Sequence, residues 1–235
     1  MTEVRISFVV ASYNGAAHIE EQLSSILTAL GPNDEVIVSD DGSTDATLER
    51  VNAIGDARVQ LIAGGERLGY QDNFARAIAS SRGEYIFFSD QDDICLPGRI
   101  PLSLAELEHS SCVCGDAIVV DAELVPLFDS HFKNRRARFS PAWLLYRPVV
   151  IGATLACRRA FLLANLPFPK GVPHDMWLSV QASRRGELAI IENPLILYRR
   201  HQGVVSATGS ASKRPIFVRL SERLKLLVAV IRSCR

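Results

Sequence analysis

The stretch Gly83-Glu84-Tyr85-Ile86-Phe87-Phe88-Ser89-Asp90-Gln91-Asp92-Asp93 sets a buried strand directly against a cluster of acids. Tyr85 to Ser89 has the length and apolar character of a strand that a parallel sheet covers on both faces. It runs straight into three carboxylates within four residues, which repel one another unless something positive joins them. A hard divalent cation with oxygen ligands is the natural partner. Mg²⁺ favours one or two carboxylates plus the phosphates of a substrate.

Upstream, the same strand-then-helix rhythm repeats. Phe74, Ala77 and Ile78 pattern a helix that should stop at Gly83 in a left-handed cap. A loop with Gly64, Gly65 and Gly69 precedes it, and Val59 to Ala63 reads as a strand. Thr44 to Ile54 is a helix and Glu35 to Ser39 a strand, with Ser43 or Thr44 a candidate helix cap. Ile19, Leu23, Ile26, Leu27 and Leu30 recur at helical spacing up to Gly31-Pro32, after a first strand from Ile6 to Ala11. Such alternation predicts an α/β, doubly wound, mostly parallel sheet with helices on both faces, and ligands beyond the carboxyl ends of its strands. Downstream, the expected elements are strands at Cys112 to Val120, Val149 to Ala156 and around Leu188 to Ile191, a helix from near His174, and a last helix after Pro215.

Composition narrows the function. The chain has 235 residues, 48% hydrophobic and 22% charged, which suits a packed globular enzyme. The longest apolar stretches, such as Leu226 to Ile231, fall far short of the roughly 20 residues of a membrane span. The run from Ile6 is too short for a secretory signal, so a cytoplasmic chain is expected. Five scattered cysteines without C-x-x-C spacing read as reduced thiols. Neither G-x-G-x-x-G nor G-x-x-x-x-G-K-[ST] occurs, which removes support for dinucleotide oxidoreductases and P-loop ATPases.

The ordered set VVASYNG (9–15), VSDDGSTDAT (38–47), GEYIFFSDQDD (83–93) and HDMW (174–177) resembles family 2 of the inverting glycosyltransferases, which have the GT-A fold. The resemblance covers roughly residues 4 to 205. The DQDD run is similar to that of the bacterial branch holding rhamnosyltransferases and other O-antigen sugar transferases. There the next residues are often Ile-Trp, whereas this chain has Ile94-Cys95 and so lacks an aromatic wall near the donor sugar.

The resemblance implies roles. Tyr13 and Asp41 would take the nucleobase, with Asp40 in the same pocket, Asp90 the ribose and Asn73 another donor contact. Asp92 would hold Mg²⁺ or Mn²⁺. Asp175, at a helix start, aligns with the catalytic base, and His174 is either an acceptor contact or an exposed helix-start histidine. Trp177 and Gly152, the latter on a β-type run under the acceptor, join the acceptor side. Tyr198-Arg199-Arg200-His201 resembles a segment that closes over the diphosphate, with Arg199 or Arg200 neutralising the leaving group and His201 completing the metal or phosphate site. Implied is non-processive transfer from dTDP-rhamnose or a UDP-sugar to a glycan or lipid-linked acceptor, in bacterial surface polysaccharide synthesis, with no nucleic-acid partner. A sugar nucleotidyltransferase, whose G-x-G-x-R type loop is absent, and a silent nucleotide-sugar binding module are the rival readings.

Residues 1–205 are thus expected to form one transferase domain, with a nucleotide-sugar half to about 95 and an acceptor half from about 96. A linker at 206–214 and a basic amphipathic helix at 215–235 follow. From Arg199 onward nine bases face one acid, Glu222, while the preceding residues hold 17 bases and 25 acids. In the tail Phe217, Leu220, Leu224, Leu227, Val228 and Ile231 recur at three- and four-residue steps. The stripe suits a helix packed on the domain, a homodimer contact, or peripheral docking on the inner face of the cytoplasmic membrane.

Overall fold

A computed structural model describes residues 5–200 and 216–233. Strands β1 (Ile6–Ser12), β2 (Glu35–Asp40), β3 (Val59–Ile62) and β4 (Tyr85–Asp90) alternate with helices α1 (Ile19–Ala29), α2 (Thr47–Ala53) and α3 (Tyr70–Ser80). Then come β5 (Ile94–Cys95), α4 (Arg99–Leu107), β6 (Cys112–Val120), β7 (Pro126–Phe128), α5 (His131–Arg135) and α6 (Pro141–Tyr146). The chain continues through a 3-10 turn at Gly152–Thr154, β8 (Ala156–Arg158), α7 (Arg159–Ala164), α8 (His174–Arg185), β9 (Leu188–Arg199) and α9 (Ile216–Arg232).

One sheet runs in the order β3-β2-β1-β4-β8-β6-β9-β5, with β7 on β6. Its first four strands are parallel, as is β6 with β9, while the short β8 is antiparallel between β4 and β6. Strand periodicity divides the core into two layers. Phe8, Val10, Val36, Val38 and Phe87 pack with Ile19, Leu23 and Ile26 of α1 on one face. Val9, Ile37, Ile86 and Phe88 meet Phe74 and Ile78 of α3, Leu178 of α8 and Leu226 of α9 on the other.

Four local expectations are corrected. Gly83 makes no left-handed cap; α3 ends at Ser80, and Gly83 is needed because a Cβ there would lie 2.6 Å from the backbone nitrogen of Ser7. Helix α2 starts at Thr47, whose N–H donates to Asp45 at 3.0 Å, while Ser43 is tied to Asp40 instead of capping. Residues 149–156 do not form a strand: the 3-10 turn intervenes, and only Ala156–Arg158 pairs. Cys95 faces the core at 5% exposure, its N–H on Ser25 Oγ, so an aromatic residue there would lie in the core and not beside a sugar. Cys95, Cys112, Cys114 and Cys157 are free and buried. Among the described residues no helix is long and apolar enough to cross a membrane. The linker at 206–214, His201 and Cys234 lie outside the described residues.

Candidate active site

The carboxyl ends of β1, β2 and β4 lie side by side, because Ser12 pairs with Asp40 and Ala11 with Asp90. Gln91 locks the first to the third. Its Oε1 accepts from the Tyr13 N–H at 2.8 Å and its Nε2 donates to the Tyr13 carbonyl at 3.1 Å. Any side chain at Gly15 would strike that amide.

Tyr13 is half-buried under the Arg67 guanidinium, 3.8 Å from its ring centroid. The Asp41 carboxylate accepts from the N–H groups of Leu68 and Gly69 at 2.6 and 2.9 Å and lies 3.9 Å from Arg67 Nε. The glycine-rich loop therefore closes onto the two residues expected to take the nucleobase, with Arg67 over the Tyr13 ring and Asp41 left 4% exposed. Sequence reading passed over Arg67; its signal is a lone base in a loop whose Gly64, Gly65 and Gly69 all have positive φ. Asp40 does not face the pocket. It is 1% exposed, and its oxygens take hydrogen bonds from Ser12 Oγ, the Gly42 and Ser43 N–H groups and Ser43 Oγ, which makes it the organiser of the turn. Asn73, also 1% exposed, is likewise withdrawn: its Nδ2 donates to the Ser39 carbonyl at 2.7 Å and its oxygen accepts from Arg76 Nη2.

The three carboxylates after β4 diverge. Asp90 and Asp92 are partly buried, while Asp93 is 1% exposed with Oδ1 on the Arg199 N–H at 3.0 Å. Burial, then the charges of Asp92 and Asp90, push the Asp93 carboxyl well above the ordinary range. Arg99 lies fully buried beneath this cluster, 5.0 Å from the Phe8 ring centroid and hydrogen-bonded to the Phe88 carbonyl. One cation joining all three acids is thus not the arrangement found, since Asp93 is turned into the protein. Arg199 is also a correction. It is 4% exposed and its guanidinium is spent on the carbonyls of Asp92 and Ala122 and on Glu21, so it ties β9 to the β4 loop and α1 and does not reach a diphosphate.

The fourth carboxylate arrives from the far end of the chain. Phe88 and Asp90 share a face of β4, and the His174 ring stacks on Phe88 with centroids 5.2 Å apart. This brings Asp175, in the first turn of α8, within electrostatic reach of Asp90: burial, then Asp92 and Asp175, push the Asp90 carboxyl up to about 7 against the pull of Arg99. Gly152 makes room, since a Cβ there would lie 2.7 Å from His174 Nε2 and 3.6 Å from the Asp175 Cβ. His174 is not exposed, contrary to one expectation. It is 5% exposed among Phe74, Phe88 and Phe168, and seats the helix instead of facing an acceptor. Trp177 is equally withdrawn, 6% exposed with Nε1 donating to the Asn165 carbonyl.

Burial of His174 has a pH consequence. Its imidazole is held down to about 3 by desolvation, against 6.5 ordinarily. Below pH 6.5 the unfolded chain binds the proton and the native chain does not, so stability falls with falling pH, by at most about 1.4 kcal/mol per pH unit from this residue. Denaturant midpoints at pH 7 and pH 5 should show that loss, and His174→Phe should reduce it. An equal drop in the variant would dismiss the histidine as its source.

Among the described residues no three His, Cys, Asp or Glu side chains form a metal-holding group. Asp92, partly exposed at the mouth of β4, nevertheless fits the single carboxylate that Mg²⁺ can take when a diphosphate supplies other oxygens.

The family model for glycosyl transferase family 2 matches residues 7–162, and the chain belongs to that family. It is 27% identical over 212 residues to the Escherichia coli UDP-Glc:alpha-D-GlcNAc-diphosphoundecaprenol beta-1,3-glucosyltransferase WfaP, covering 86% of this chain and 80% of that one. Among solved structures it resembles S. aureus TarS in complex with UDP-GlcNAc (TM-score 0.69, 20% identity, 94% of this chain and 65% of that one). It also resembles glucosyl-3-phosphoglycerate synthase from Mycobacterium tuberculosis in complex with Mn²⁺, UDP and glucosyl-3-phosphoglycerate (TM-score 0.63, 22% identity, 98% of this chain and 80% of that one). At these identities the structural likeness establishes the GT-A fold. The chain spans about two thirds of the TarS fragment.

Proposed function

We propose that the chain is an inverting, metal-dependent, non-processive transferase that moves a sugar from a pyrimidine nucleoside diphosphate to a hydroxyl of a glycan or lipid-linked acceptor, in bacterial surface polysaccharide synthesis. The observation that carries this reading is the stacking of His174 on Phe88, which sets the adjacent Asp175 within electrostatic reach of Asp90 at the sheet edge that also bears Tyr13 and Asp41. Asp41 suits the imide N–H shared by uracil and thymine, which fits a UDP-sugar or dTDP-rhamnose, and Tyr13 offers a ring face to the base. Asp90 would accept from the ribose, and Asp92 would hold Mg²⁺ or Mn²⁺, whose charge offsets that of the diphosphate leaving group. Asp175 takes the proton of the acceptor hydroxyl as its oxygen bonds to the anomeric carbon from the face opposite the diphosphate, and the bond from that carbon to the phosphate oxygen breaks.

Thermal melting with UDP, dTDP, GDP and CDP, each with Mn²⁺, Mg²⁺ or chelator, tests the donor half. A ligand at 100 times its dissociation constant adds about 2.7 kcal/mol, a rise of roughly 5–10 °C for a domain of this size. UDP or dTDP with metal should produce it. A chain that responds to no nucleoside diphosphate is not this enzyme.

A further inference from the structure

Helix α9 carries two apolar faces. Leu226 and Val230, at 0% and 6% exposure, seal it onto the domain; Gln181 Nε2 donates to Ser233 Oγ, and Lys225 Nζ lies 2.9 Å from where a Cβ on Gly171 would be. The other face is bare: Leu220, Leu224, Leu227, Val228 and Ile231 are 56%, 63%, 43%, 38% and 52% exposed. At about 100° per residue these five fill an arc of about 100°, a width suited to lying flat on an apolar phase.

The flanks of that arc identify the phase. Arg223 lies about 40° beyond Leu227 on one edge; Arg232 lies about 40° beyond Val228 on the other, with Lys225 next to it. Glu222, the sole acid of the helix, falls nearly opposite the arc. Beside Arg223 stands Tyr146 of α6, 63% exposed and 5.2 Å from the guanidinium, followed by Trp143 under Arg138. Aliphatic face, basic edges and a Tyr-Trp shoulder are what a headgroup boundary selects, aromatic rings settling at that level and bases drawn to anionic lipid. A second copy fits poorly: a twofold contact meets itself, and basic flanks would face basic flanks.

We infer that the exposed face of α9 docks the protein on an anionic bilayer surface. The helix runs beside Gly171, three residues before the start of α8, so docking brings the Asp175 end of α8 toward the lipid and presents it to a lipid-linked acceptor. The docking itself stands apart from the transferase reading, because vesicle binding requires neither donor nor transfer.

The test is flotation of the 235-residue chain with vesicles of phosphatidylcholine alone or with about 30% phosphatidylglycerol. The chain should float with the anionic vesicles and not with the neutral ones. Leu224→Glu with Ile231→Glu should cut binding roughly tenfold or more, and Arg223→Gln with Arg232→Gln by about tenfold, while thermal melting shows both variants folded. Failure of the wild-type chain to bind anionic vesicles overturns the inference, as does unchanged binding by the glutamate variant. A dimer that the glutamate variant disrupts, without vesicle binding, would assign the face to a second copy.

Discussion

Asp175→Asn is expected to lower sugar transfer by about 10² to 10⁴ while leaving donor affinity unchanged, the loss typical when a positioned base is removed. The structure makes this variant informative. Asp175 Oδ1 accepts from the Met176 N–H at 2.8 Å, and an asparagine oxygen can keep that bond, so the start of α8 should survive. Removing its charge also relieves Asp90 of one repelling neighbour. The competing role, an aspartate favoured by the helix dipole, is worth about 0.3–1 kcal/mol and predicts a lower melting temperature with normal turnover. Single-turnover rates with saturating donor, set beside the melting curve, separate the two; normal transfer by the variant eliminates Asp175 as the base.

Asp92→Asn should abolish metal-dependent donor binding. Asp92 and Asp90 are the partly buried carboxylates at the mouth of β4, and a diphosphate brought there without a cation would add negative charge to negative charge. The ligand-free variant should melt no lower than the wild type, because Asp92 is one of the charges that push Asp90 and Asp93 upward. Calorimetric titration of UDP with Mn²⁺ and with chelator reads the effect. Wild-type affinity retained by the variant, equal in both buffers, would remove Asp92 from the metal site.

The chain up to Asp93 was largely legible because its strands are buried between two helical layers and its helices carry a single apolar stripe. β1, β2, β3 and β4 fall within a residue of their expected ends. Beyond Asp93 the signals weaken for a physical reason. β5, β7 and β8 have two or three residues each, too few for any periodicity, and they exist because longer strands lie next to them. The turn at Gly152–Thr154 looked like a strand because Val149 to Ile151 are apolar, yet they are buried outside any strand, Val149 and Val150 in one core layer and Ile151 in the other.

Candidate site residues divide along the same line. A polar residue after a buried strand is visible in sequence, but whether it serves a ligand depends on which backbone groups it must satisfy once the chain closes. Asp90, Asp92 and Asp175 stay partly exposed at the edge of the sheet; Asp41 is 4% exposed beneath the glycine-rich loop, Asp40, Asn73 and Arg199 are drawn inward to satisfy turns and loop carbonyls, and Trp177 fills the core. What the sequence by itself determined is the order of strands and helices up to Asp93, the acids at the carboxyl ends of β2 and β4, and hence the fold class and the sheet edge that gathers those acids, since local periodicity and strand burial are properties of neighbouring residues. Only the tertiary structure decided that Asp175 comes within electrostatic reach of Asp90, that Arg67 covers Tyr13 and that one face of α9 stays bare, because each depends on contacts between segments far apart in the chain, which no local pattern encodes.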